Sequence, residues 1–389
     1  MEIIYADNAA TTAMSDNAAA VLSACLKQTY GNPSSLHTLG NLAAEKLSAA
    51  RRDMAACIGA RPDEIYFTSG GTEADNQAIL TAAEIGGRNG KYHIISQKTE
   101  HHAVLNTLAK LEKRGFEISL LDVDGDGGIG AERVEGAIRE DTALVTVMTA
   151  NNETGTVMPV KDIVEVCREK GVLFHTDAVQ AVGHIYVDVG DMGCDMLSLS
   201  AHKFRGAKGV GALYCKRGIT PYTLIEGGGQ ERGVRSGTEN VGGICAMAQA
   251  LKDALCGLDE NIRRVSDMRN ALEKKLLYIP YSRVNGSKEN RLPSILNISF
   301  VGIESESLLL MLDGAGICCS AGSACNSGSL DQSYVLKAMG IPDETAMGTV
   351  RFSLSEYNTF DEIDYIAEKT AEIVKYLRSV SPVWETMNK

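Results

Sequence analysis

Short apolar segments alternate with helix-like ones through the first two thirds of the chain, and no other feature narrows the possible folds as far. Residues 64–69, 92–96, 116–121, 143–148, 172–177, 196–200 and 211–215 read as seven strands, with helical stretches such as 163–170 between several of them. Short apolar strands separated by helices specify an α/β domain with a mostly parallel sheet. Ligands of such sheets sit at the carboxyl ends of the strands. Near residue 258 the pattern changes. Ile262, Val265, Met268, Leu272 and Leu276 recur at helical spacing, as in a long connecting helix. Two further strands are expected at 295–300 and 350–354. A last helix carries Ile363, Ile366, Thr370, Ile373 and Leu377 on one face, opened by a Thr359/Glu362 capping box. These elements predict a second, smaller α/β layer. The stretch 318–329 is rich in Gly and Ser, has little to bury, and reads as a mobile loop.

Composition removes several classes of function. A chain of 389 residues is long enough for two or three domains. With 44% hydrophobic and 23% charged residues it is neither disordered nor fibrous. Lys and Arg total 38 against 50 Asp and Glu, a net charge of −12 that argues against a general binder of nucleic acid or anionic membrane. No apolar run approaches the roughly 18 residues of a membrane span, and the acidic start, Met1 to Asp7, does not resemble a secretory signal. None of the ten cysteines forms a Cys-x-x-Cys, so zinc-knuckle and thioredoxin readings have no support and no metal site is expected. Reduced thiols in the cytoplasm, most of them small buried hydrophobes, fit this usage.

Gly125 to Gly130 matches G-x-G-x-x-G, a dinucleotide fingerprint. It comes too late for a first βα unit, and Asp122, Asp124 and Asp126 would repel a pyrophosphate. The same residues approach a calcium loop, but position twelve is Arg133 where Glu is required. A polar Gly/Asp turn is the reading kept.

Four motifs fall at predicted strand ends. Thr68-Ser69-Gly70-Gly71-Thr72-Glu73 places glycines and a helix start where backbone N–H groups can meet an anion, with Thr72 as an added donor. A helix cap by Ser69 or Thr72 explains the same residues. Asp177 ends a buried strand, with Gln180 close behind. A carboxylate there is costly unless a cation such as a protonated ring nitrogen meets it, and helix capping is the alternative. Lys203, in Ser200-Ala201-His202-Lys203, follows another apolar strand, where poor solvation makes an amine nucleophilic. A surface lysine is the alternative. Ser200 and His202 could donate to a phosphate. His101, in Thr99-Glu100-His101-His102, can stack on a planar ring and shuttle protons, although a His pair can also be structural. Together they compose a pyridoxal-phosphate site: a Schiff-base lysine, a carboxylate 26 residues earlier on the neighbouring strand, and a phosphate cradle.

At this point the chain resembles the NifS/IscS cysteine desulfurases, in the class V aminotransferase group of fold-type I pyridoxal-phosphate enzymes. The resemblance runs from Asp7-Asn8-Ala9-Ala10-Thr11-Thr12 to the last helix. It includes Gly31-Asn32-Pro33-Ser34-Ser35, Asn151-Asn152-Glu153-Thr154-Gly155, Gly227 to Thr238, Ser323-Ala324-Cys325 and Val350-Arg351-Phe352-Ser353. It implies an aspartate aminotransferase-like fold, with a large cofactor domain over residues 15–258 bearing a seven-stranded sheet. Residues 1–14 and 259–389 would form the smaller domain, carrying the cysteine loop. It further implies Lys203 as the Schiff-base lysine, His101 over the pyridine ring and Asp177 on the ring nitrogen. Gln180 and Asn152 would address the ring hydroxyl. Gly71, Thr72, Ser200 and His202 would hold the phosphate. Thr238 would serve the cofactor phosphate of a partner subunit in a homodimer. Arg351, with Asn152, would bind the substrate carboxylate, for which the guanidinium fork is suited.

Cys325, among small residues, separates this group from its aminotransferase relatives and resembles the long-loop, group I desulfurases. The implied reaction takes sulfur from L-cysteine onto Cys325 as a persulfide, leaving L-alanine. The sulfur then passes to an acceptor such as an iron–sulfur scaffold or a tRNA-thiolation protein. The alternatives are a class V aminotransferase, a selenocysteine lyase, and more remotely a scaffold protein with a dead cofactor pocket or an NAD-dependent oxidoreductase.

Overall fold

The computed structural model describes residues 3–321 and 332–387. Its strands, in chain order, are β1 (Ile4–Tyr5), β2 (Ile65–Thr68), β3 (His93–Gln97), β4 (Glu117–Leu121), β5 (Thr142–Thr146), β6 (Leu173–Asp177), β7 (Met196–Ser200), β8 (Gly211–Cys215), β9 (Ser282–Asn285), β10 (Ile295–Phe300), β11 (Ile317–Cys318) and β12 (Thr349–Ser353). The seven strands expected in the first two thirds form one sheet, in the order β2-β8-β7-β6-β5-β3-β4. Pairing is parallel from β4 through β3, β5 and β6 to β7. It is antiparallel where β8 joins β7 and β2. The apolar runs are continuous because helices cover both faces of the sheet. Adjacent residues of a strand point to opposite sides. Ile94, Leu144, Met196 and Leu213 meet the helices Gly71–Arg88 and His102–Glu112, as their shared core with Ala78, Ile79, Val104 and Leu108 shows. Their neighbours Ile95, Val145, Leu197 and Ala212 face the opposite core, built with Ile163 and Val164 of Val160–Lys170 and with Ile244, Met247 and Leu251 of Val241–Cys256.

A separate core joins the chain's two ends. Ile4 and Ala6 pack with Met268 and Leu272 of the helix Leu258–Leu276, Ile298 of β10, Val350 of β12, and Ile363, Ile366 and Val374 of the helix Phe360–Ser379. β9, β10 and β12 form an antiparallel sheet in the order β12-β10-β9, while β1 pairs in parallel with β11. Thr359 caps the last long helix in a full capping box with Glu362, as its sequence predicts. The helix at 258 is preceded directly by Val241–Cys256, and the two meet at 73° across Gly257. No single helix among the described residues is long and apolar enough to cross a membrane. The stretch around residue 125 is a polar turn, in which Asp124 Oδ1 accepts from the N–H groups of Asp126 and Gly128.

Candidate active site

The carboxyl ends of β3, β5, β6 and β7 open onto one cavity of about 260 Å³, whose lining includes Gly71, Thr72, Asp75, His101, Asn152, Asp177, Gln180, Ser200, His202, Lys203 and Arg351. Every sequence-predicted site residue is therefore brought to one place, with two exceptions. Thr238 lies instead beside Phe67, Ser69, Gly209 and Arg235. Cys325, with the 322–331 segment, lies outside the described residues.

Lys203 follows β7 in a single 3-10 turn, Ala201–Lys203. Its Nζ donates to the carbonyls of Ala9 and Ala10 at 2.6 and 2.9 Å. The N-terminal motif thus forms one wall, and Gln180 Nε2 secures it by donating to Ala9 O at 2.9 Å. Asp177 ends β6, and its Oδ1 accepts from the N–H of Val179 at 2.9 Å. His101 is the N-cap of His102–Glu112: its Nδ1 accepts from the N–H of Ala103, which leaves the ring proton of the neutral imidazole on Nε2. Burial holds His101 below the usual imidazole range, against the opposing pull of Asp177. Burial likewise raises Asp177, while His101 and Lys203 oppose the rise.

The helix Gly71–Arg88 starts at this cavity. Its N-cap is Gly70, which offers no side chain, so neither Ser69 nor Thr72 is the cap. Ser69 instead bonds Glu73 with both its N–H and its hydroxyl, and Arg235 clamps the same carboxylate at 2.8 Å. A methyl group on Gly71 would stand 2.6 Å from Val179 Cγ2. Glycine here keeps the helix start pressed against the Asp177 turn. The first-turn N–H groups have no side-chain cap and stand beside Thr72, Ser200 and His202, a set of donors that can meet an anion. Burial lowers His202 to about 4, so its ring is neutral, and its Nδ1 is bonded to Thr11 Oγ1 at 3.1 Å.

On the far wall Arg351 is 2% exposed. Its guanidinium donates to Asn152 O at 2.8 Å and to Asp7 Oδ1 at 2.9 Å. Asn152 sits in a loop held by Asn151, whose Oδ1 accepts from the N–H groups of Glu153 and Thr154. Asn152 Oδ1 itself is buried with no hydrogen-bond partner among the described residues.

Sequence reasoning missed several members of this site. Asp7, Ala9 and Ala10 stood in a quoted motif but without a role. Asp75, one helical step beyond Thr72, lines the cavity with a buried carboxyl. Glu100, beside His101, is wholly buried and raised by that burial to about 8. A charged residue inside an otherwise apolar helix face was the available signal for Asp75.

Fold and cavity define a fold-type I transferase of the aspartate aminotransferase-like class. The aminotransferase class-V family matches residues 4–366. A cysteine desulfurase IscS of Clostridium botulinum is 46% identical over 389 residues, covering 99% of this chain and 98% of the relative. Among solved structures, a NifS-like protein superposes with a TM-score of 0.91 at 38% identity, covering 96% of this chain and all of the other. SspA, solved in complex with cysteine, superposes at 0.80 with 35% identity, covering 91% of this chain and 99% of the other. The chain belongs to the class-V aminotransferase family, as a cysteine desulfurase of the NifS/IscS kind.

Proposed function

We propose that this chain uses pyridoxal 5'-phosphate, held by the residues above, to convert L-cysteine to L-alanine with transfer of sulfur to Cys325. The observation that carries the reading is the convergence of an amine, a buried carboxylate, an open helix start and an arginine fork in one cavity. The residues fit the cofactor. Lys203 Nζ would meet the aldehyde, Asp177 the ring nitrogen, and the orphaned Asn152 Oδ1 with Gln180 the ring hydroxyl. The N–H groups at Gly71 with Thr72, Ser200 and His202 would hold the phosphate. When bound, the cofactor supplies an electron sink for the α-carbon.

The chain's own residues do the rest. Arg351, braced by Asp7 and Asn152, orients the substrate carboxylate. Lys203 Nζ removes the α-proton. His101, kept neutral by burial, presents its Nε2 proton to the reacting groups. Cys325 is five residues past Ser320, whose backbone is bonded to Arg351 in the cavity wall, so its tether spans at most ~18 Å. None of the nine described cysteines lines the cavity, and burial pushes Cys167, Cys194 and Cys215 up to about 12, far from thiolate formation at neutral pH. In the transfer, the Cys325 thiolate attacks the cysteine sulfur. The carbon–sulfur bond breaks, its electron pair and a proton go to the β-carbon, Lys203 Nζ returns a proton to the α-carbon, and the products are alanine and a Cys325 persulfide.

Thr238, away from its own chain's cavity, suits a homodimer in which it serves the partner subunit's cofactor. The persulfide passes to an acceptor protein such as an iron–sulfur scaffold or a tRNA-thiolation protein, and the cytoplasm suits the free thiols among the described cysteines. Borohydride reduction followed by peptide mapping should place the cofactor on Lys203. Cys325→Ala should keep the bound cofactor's absorbance and lose alanine formation. A fully active Cys325→Ala enzyme would remove Cys325 from the reaction.

A further inference from the structure

Asp75 is 1% exposed on the inner face of Gly71–Arg88. One oxygen or nitrogen from each of Asp75, His101 and Asp177 lies within 4.8 Å of the others. Asp75 Oδ1 has no hydrogen-bond partner among the described residues. The nearest basic group on its far side is His175 Nε2 at 3.7 Å. That ring is occupied on both sides, by Thr146 Oγ1 and Ser198 Oγ at 2.9 Å each, and its burial lowers it to about 3. It is neutral, so Asp75 meets no cation there. Glu100, buried nearby but not in the cavity lining, has its Oε1 bonded by Gln97 and Met148 and its Oε2 without a hydrogen-bond partner among the described residues. The cationic partner on the cavity side, Lys203, acts on Asp177.

We propose that Asp75 is a positioning residue that keeps one proton beside Asp177, so that the two carboxyls present a single negative charge to the cavity. Like-charged carboxyls this close and this dry cannot both ionise cheaply. The proton stays on the member without a cation, and the charge on the member that faces His101 and Lys203. Burial and the charge of Asp177 push the Asp75 carboxyl well above the usual carboxylate range. One carboxylate then balances one cationic ring nitrogen, with none left uncompensated.

The inference deepens the proposed function and is tested in arms that separate the two. Infrared spectra of the full-length chain stripped of cofactor should show neutral carboxylic-acid carbonyl absorption at neutral pH, part of it from Glu100, and Asp75→Asn should remove one component of it. A spectrum unchanged by that substitution overturns the proposal. Should the variant misfold, carbon-13 NMR of wild-type chain labelled at aspartate should show one carboxyl that stays protonated through neutral pH, and its absence overturns the proposal equally. In the loaded enzyme, Asp75→Asn should leave the pH midpoint of the cofactor absorbance change within about half a unit. Loss of a true negative charge beside the cofactor would move it about a unit or more toward a lower value, each unit being on the order of 1.4 kcal/mol, and such a shift would refute the neutral state. A chain that binds no pyridoxal phosphate fails the proposed function but leaves the first two measurements decisive.

Discussion

Replacing Arg351 with lysine keeps the positive charge and removes the fork, which isolates what the guanidinium geometry contributes. Two of its N–H groups are committed within the wall, to Asn152 O and Asp7 Oδ1. Those bonds fix the guanidinium plane in the cavity wall. A lysine ammonium is a point donor without a plane. It cannot satisfy the Asp7 carboxylate, the Asn152 carbonyl and a two-point substrate carboxylate together. The expected loss is about one hydrogen bond to a charged group, or ~1.5–3 kcal/mol, which is roughly a 10- to 150-fold fall in kcat/KM. Carboxylate binding is common to ground and transition states, so most of the loss should fall in KM for cysteine. Steady-state alanine formation measures both constants, and the absorbance of bound cofactor reports whether the site is intact. An unchanged KM with normal absorbance would refute Arg351 as the carboxylate clamp. Loss of cofactor with KM preserved would assign it to the cofactor instead.

Glu100→Gln tests the buried carboxyl beside His101. Burial raises Glu100 to about 8, above an unfolded value of about 4.3. The folded chain therefore holds the extra proton between these values. The stability this proton contributes is full below the unfolded value and lost as pH rises through about 8. Glutamine has no such ionisation, so the variant's Tm relative to wild type should climb between mildly acidic and alkaline pH, and a difference independent of pH would count against the assignment. Leu272→Ala removes a fully buried side chain from the core that joins the chain's ends. Urea unfolding should show a loss of ~2–5 kcal/mol, and a loss below about 1 kcal/mol would mean that this core yields easily.

The sheet was legible because each of its strands is a local apolar run bounded by turn residues, and burial on both faces keeps those runs unbroken. Lys203 and Asp177 were legible for a related reason: a charge directly after such a run has few uses other than chemistry. The last helix could be read to its first residue, since Thr359 and Glu362 carry the cap in four consecutive positions. Other members of the fold leave no such local trace. β1 and β11 are two residues each and exist by pairing with one another, Ile4 with Ile317 and Tyr5 with Cys318. β9, Ser282–Asn285, is polar enough to pass for a loop until β10 pairs with it.

The site divides in the same way. The residue types and their places at strand ends, and with them the expected reaction, came from the order of amino acids, because local sequence sets where a strand stops and which side chain comes next. That Asp7 braces Arg351 across 344 positions, that Ala9 and Ala10 meet Lys203, and that Asp75 stands against Asp177 came from the fold alone. Contacts of this kind depend on which segments the buried cores press together, and on how few cations reach a carboxyl once water has been excluded. No periodicity along the chain records either quantity.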